Sequence, residues 1–84
     1  MRIALKLFAS LTQRLPPEAR ARHRVELEVD EGDKVLDVIR RQGIPEAQCF
    51  LVLVDGAWVA AQDRATRVLS ADQALAIWPP VAGG

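Results

Sequence analysis

Apolar and polar positions alternate in two places early in the chain. In residues 2–8, Ile3, Leu5 and Leu7 fall on one side, and Arg2, Ala4, Lys6 and Phe8 on the other. That period of two predicts a strand with one buried face. Phe8 is an aromatic on the otherwise polar side. Residues 24–29 repeat the pattern, with Val25, Leu27 and Val29 inward and Arg24, Glu26 and Glu28 outward. The period then lengthens. Val35, Val38 and Ile39 are spaced i, i+3, i+4, with Leu36 widening the stripe, so residues 34–42 read as a helix. Asp33 suits its N-cap and Gly43 its C′ position. Arg40 and Arg41 suit the last turn, where the helix dipole favours cations.

Residues 49–54 form an apolar strand, and Cys49 reads as a small core residue. Asp55-Gly56 matches a two-residue type I′ turn, with residues 57–60 returning as a short strand. In residues 74–78, Leu75 and Ile77 share one face; Ala74, Ala76 and Trp78 share the other. Pro79-Pro80 stops pairing, because proline offers no N–H to a ladder. Between these elements, Ser10 suits the cap of a short helical turn that ends at Pro16-Pro17. Residues 16–23 read as a solvated loop, and Arg20, Arg22, His23 and Arg24 make a small basic cluster. Residues 62–73 read as irregular, with Val68 and Leu69 as plugs beneath the loop.

This order predicts an α+β fold of the β-grasp, or ubiquitin-like, kind: a mixed four- to five-stranded sheet packed on one main helix. The first and last strands are expected side by side in the middle, because both are rich in core-facing aliphatics. The domain is expected over residues 1–78, with an extended, flexible tail over 79–84.

Composition narrows the function. At 84 residues the chain is the size of one domain. Eleven Lys+Arg balance eleven Asp+Glu. That balance argues against nucleic acid or a polybasic membrane contact as partner. One Cys and one His permit neither an internal disulfide nor a Cys/His zinc site, and no metal is expected. The 49–54 run is far too short to span a bilayer, so the expectation is a cytoplasmic domain. No nucleophile–base pair, phosphate loop or metal-spaced carboxylate cluster appears. His23 reads as a surface residue. Asp30, Glu31 and Asp33 read as turn and cap chemistry.

The last residues are the most informative. Two specified positions are both glycine by chance in about 0.5% of chains, so a Gly83-Gly84 ending invites a reason. Glycine has no Cβ, so a partner's backbone can approach closely and a narrow channel can admit the segment. A carboxylate there becomes reactive once ATP converts it to an acyl phosphate. Pro79-Pro80 is stiff and extended, which favours projection. Residues 79–84 reach roughly 20 Å at full extension, against a radius of gyration of about 12 Å for a domain this size.

The stretches LVLVDGAWV and ADQALAIW and the ending PPVAGG resemble the MoaD/ThiS family of β-grasp sulfur carriers, most of all the small subunit of molybdopterin synthase. The resemblance implies a carrier and co-substrate in place of an enzyme, with no bound cofactor. Gly84 would be adenylated, with ATP consumed by a ubiquitin-activating-type adenylyltransferase, and converted to a thiocarboxylate. Gly83 would be its flexible neighbour, and Pro79, Pro80, Val81 and Ala82 would line a partner's channel. The implied partners are that adenylyltransferase, a larger sulfur-accepting synthase subunit, and a sulfur donor such as a cysteine desulfurase or rhodanese. Molybdopterin synthesis is the first pathway implied. The thiamine thiazole, another sulfur metabolite, conjugation to lysines and a plain interaction module are the alternatives. Two features depart from the family: its hairpin is often Asn-Gly where this chain has Asp55-Gly56, and PPEARARHR is longer than in minimal carriers.

The strand faces add a docking surface. Phe8, Leu53, Ala76 and Trp78 are expected to form an exposed apolar patch at the root of the tail. Trp58 is expected at the rim of the core.

Overall fold

The computed structural model describes residues 1–80. Five strands form one sheet: β1 (Arg2–Leu7), β2 (Arg24–Glu28), β3 (Leu51–Val54), β4 (Ala57–Trp58) and β5 (Ala74–Trp78). Their spatial order is β2-β1-β5-β3-β4. The two central strands, β1 and β5, run parallel, with Leu5 opposite Leu75 and Leu7 opposite Ile77. Every other pairing is antiparallel. One helix, α1 (Val35–Arg41), covers one face. This is the mixed β-grasp sheet that the periodicities predict, with its first and last strands at the centre.

The core lies between α1 and the sheet. Ile3, Leu5 and Leu7 of β1 meet Leu75 and Ile77 of β5 and Val52 and Val54 of β3, under Val35, Val38 and Ile39. Cys49 is buried there, as its neighbours suggested. The hairpin turn has Asp55 at φ 48° and Gly56 at φ 82°, the two positive angles of a type I′ turn. The Asp55 carboxylate accepts the Ala74 N–H at 2.8 Å, so the acid does work that a bare turn would not.

Several expectations need correction. Asp33 is not the N-cap; that position is Lys34. The Asp33 carboxylate instead accepts the Asp30 N–H at 2.9 Å and a bidentate pair of Arg41 N–H bonds at 2.7 and 3.2 Å. Asp37, one turn into the helix, accepts the Lys34 N–H at 2.9 Å and so does the capping. Ser10 does not cap either: the turn of 3-10 helix at Ala9–Arg14 begins after Phe8. Residues 16–23 are not simply a loop. They hold a second 3-10 segment, Pro17–Arg22, whose Ala19 joins Leu11 and Leu15 in the core. The returning strand stops at Trp58. Leu69 is a plug, but Val68 is 48% exposed.

Candidate functional site

The face of the sheet away from α1 follows from the register. Lys6 lies opposite Arg24 on one side and Ala76 on the other. Leu53 lies opposite Ala76, and Trp58 opposite Leu53. Directly paired residues share a face, so Arg24, Lys6, Ala76, Leu53 and Trp58 form one row across the sheet. A second row, nearer the end of β5, holds Phe8, Trp78 and Leu51, the last paired with Trp78. The four expected patch residues, Phe8, Leu53, Ala76 and Trp78, therefore do lie together. Phe8, Leu53 and Trp78 are half-buried. Ala76 is only 7% exposed, flanked by Lys6 and Leu53, so it is the floor of the patch and not part of its accessible surface.

Aromatic stacking organises the end of this face. Phe8 and Trp78 rings lie 4.2 Å apart and 3° from parallel. His23 stacks on Phe8 at 5.2 Å. His23 is held there by a left-handed backbone (φ 56°, ψ 28°) closing the 3-10 segment, and is half-buried, not a free surface residue. Its Nδ1 is buried without a partner among the described residues. The Arg20 and Arg22 side chains donate to the Leu15, Gln13 and Glu18 carbonyls, so this basic cluster fastens its own loop.

The root of the tail is gripped on both sides. The Phe8 N–H donates to the Ile77 carbonyl at 3.2 Å, and the Phe50 N–H to the Trp78 carbonyl at 2.9 Å. Pro79 is buried against the domain and Pro80 is exposed. Pro79 is therefore an anchor of the folded unit and not part of a tail that begins at residue 79. Val81, Ala82, Gly83 and Gly84, where the expected chemistry falls, lie outside the described residues.

Sequence reasoning missed two apolar side chains of this surface and a third exposed one next to it. Trp58 is 68% exposed on the sheet face, not at the rim of the core, and Phe50 is 70% exposed beside the tail root. Leu51 completes the set. The missed signal was the register: Trp58 follows the turn at the spacing that puts it opposite Leu53. Beside Trp58, a groove of about 280 Å³ opens between β4 and Asp63, Thr66 and Arg67.

Charge on the face is uneven. Arg24 pairs with Glu26 at 3.1 Å and Arg2 with Glu28 at 3.4 Å. Lys6 has no ion pair among the described residues. No cluster of three or more His, Cys, Asp or Glu side chains able to hold a metal occurs among them, and no helix there is long and apolar enough to cross a membrane. Burial pushes the Cys49 thiol up, against the pull of the Arg64 charge. A protonated, enclosed thiol is a poor nucleophile.

The fold, with an apolar sheet face at the root of a Gly-Gly segment, defines a ubiquitin-like β-grasp protein. The profile of the ThiS family matches residues 5–84, and the chain belongs to that family. It is thus of the ThiS/MoaD type, a group of small sulfur carriers and ubiquitin-like modifiers. No curated sequence matches it. Among solved structures it is similar to SAMP1 from Haloferax volcanii, at 26% identity and a TM-score of 0.67, with 100% of both chains covered. The Haloferax volcanii HVO 2177 protein is 25% identical, with a TM-score of 0.73, over 100% of this chain and 87% of the other. A chain from the Helicobacter pylori complex of subunits 1 and 2 of molybdopterin-converting factor shares the fold, at 12% identity and a TM-score of 0.60, with both chains covered in full.

Proposed function

We propose that the chain carries sulfur as a thiocarboxylate on Gly84. A ubiquitin-activating-type enzyme adenylates the Gly84 carboxylate: its oxygen attacks the α-phosphorus of ATP and pyrophosphate leaves. A sulfur donor such as a cysteine desulfurase or rhodanese presents a persulfide whose outer sulfur displaces AMP, and a second thiol then reduces the acyl disulfide so formed, leaving the thiocarboxylate on Gly84 and a disulfide behind. The larger subunit of a synthase then accepts it, and the chain itself is a co-substrate. Gly83 gives the segment its slimness, and Pro80, Val81 and Ala82 lie along the partner's channel. The partners dock on the sheet face built by Phe8, Leu51, Leu53 and Trp78. On this reading the chain works in the cytoplasm, where ATP is at hand.

One observation carries the reading: the ThiS-family match runs through Gly83-Gly84. Molybdopterin synthesis is the pathway proposed, supported by the likeness of LVLVDGAWV and PPVAGG to molybdopterin synthase small subunits. A second reading, attachment of Gly84 to lysines of other proteins, is favoured by the similarity to SAMP1 over the whole of both chains.

The test is ATP–pyrophosphate exchange by the adenylating enzyme of the same genome. Exchange should require this protein and vanish on deletion of Gly84. Exchange that persists after the deletion would refute the assignment. Gly84-dependent high-mass conjugates on denaturing gels would select the modifier reading.

A further inference from the structure

The open sheet face has a cationic notch at one end of its apolar row. Lys6 and Arg24 stand directly opposite one another on antiparallel strands. Like charges in that position repel, and an isolated domain gains nothing from them. Arg24 is relieved by Glu26, whose Oε1 accepts its Nε–H at 3.1 Å and forms an ion pair with Nη2 at 3.1 Å. That oxygen is thereby engaged by Arg24. Lys6 is half-buried and unpaired among the described residues. Its other flank is Ala76, the small residue that floors the patch, so the Lys6 stem runs beside apolar surface and its ammonium stands at the edge of it.

Resting on the carrier reading above, we propose that Lys6, with Arg24 behind it, selects a protein partner whose docking surface sets a carboxylate among apolar side chains. Charge complementarity argues for that occupant. A purely apolar partner would strip water from an uncompensated ammonium, which is unfavourable unless it is paired. An acidic group seated beside the apolar anchors neutralises Lys6 and relieves its repulsion with Arg24. Such a charge also fixes register on a face whose apolar contacts would tolerate sliding. The chain has zero formal net charge, so the attraction is local to this notch and does not extend to polyanions at large.

The experiment compares wild type, Lys6→Gln and Lys6→Glu by calorimetric titration against the adenylating enzyme of the same genome. Urea midpoints of the free proteins are measured alongside. Both variants should keep or raise the midpoint, because the cross-strand repulsion is gone. Affinity should fall about tenfold or more for Lys6→Glu and less for Lys6→Gln, and wild-type affinity alone should weaken steeply with salt. Equal affinity of all three overturns the proposal and leaves the carrier reading standing. Failure of the wild type to bind at all overturns both. Loss of binding in parallel with a lowered midpoint assigns Lys6 a structural role and overturns the proposal as well. So does capture of the wild type by phosphatidylserine vesicles with no binding to the enzyme.

Discussion

Phe8 and Trp78 lie face to face, 4.2 Å apart and 3° from parallel, one at the end of each central strand. Neither ring is in the core; both stand on the sheet face away from α1. The stack joins the last residue before the prolines to β1, and so fixes where the C-terminal segment leaves the domain. Such pairs contribute about 0.5–1.5 kcal/mol beyond the area they bury. A double-mutant cycle of Phe8→Ala and Trp78→Ala should give a coupling of about 1 kcal/mol in urea unfolding. Additive losses would show that the rings touch without cooperating. In Trp78→Glu, lost partner binding with a folded domain is expected; global unfolding would remove Trp78 from the docking surface.

Stability should fall in acid through Asp33. The bonds from Arg41 first, and then the Asp30 N–H, hold its carboxyl below the usual carboxylate range. The folded state then binds fewer protons than the unfolded one across that interval. The contribution is complete above the unfolded pKa of about 4 and is lost as pH drops through the lower folded value. Urea midpoints between about pH 6 and pH 2 should fall more steeply for wild type than for Asp33→Asn, which lacks the titrating group. Parallel curves would show that other carboxylates govern acid unfolding.

The β3–β4 turn separates two roles of one residue. Asparagine tolerates the positive φ of position 55 and can still accept the Ala74 N–H, so Asp55→Asn should be nearly neutral. Asp55→Ala loses both advantages and should destabilise by about 1–2 kcal/mol. Gly56→Ala meets no steric neighbour, yet φ 82° strains any side chain; about 1 kcal/mol is expected. Equal stability of the Asn and Ala variants at 55 would contradict this account.

Cys49 should be chemically silent in the folded protein. It is 5% exposed and its thiol is pushed up by burial. Iodoacetamide labelling at neutral pH should follow the unfolding curve as urea is added. Rapid labelling without urea would mean that this end of β3 opens locally.

The fold was largely legible because its strands obey a period of two and its helix does not. Ile3, Leu5 and Leu7 against Lys6, or Val25 and Leu27 against Glu26, leave one way to bury a face. The apolar patch was legible in part for the same reason. What the alternation could not give was register, and register places Trp58 over Leu53 and Lys6 against Arg24. The exposure of Ala76 was misjudged because its neighbours, not its own side chain, decide what water reaches. Asp33 fits an N-cap by type and position, yet Arg41, eight residues on, offers it a bidentate partner that local sequence does not display. His23 looked solvent-bound because nothing nearby in sequence announces a stack on Phe8.

The central claim is that Gly84 carries sulfur, and intact mass tests it most directly. The protein ending at Gly84 is co-expressed with the adenylating enzyme and a sulfur donor. Exchange of a carboxylate oxygen for sulfur adds about 16 Da, the same nominal gain as one oxidation at Met1 or Cys49, so a thiocarboxylate-specific label accompanies the spectrum. The account predicts a gain that takes the label and disappears when Gly84 is deleted. An unlabelled gain, or none in the presence of an enzyme shown to adenylate the chain, would contradict it.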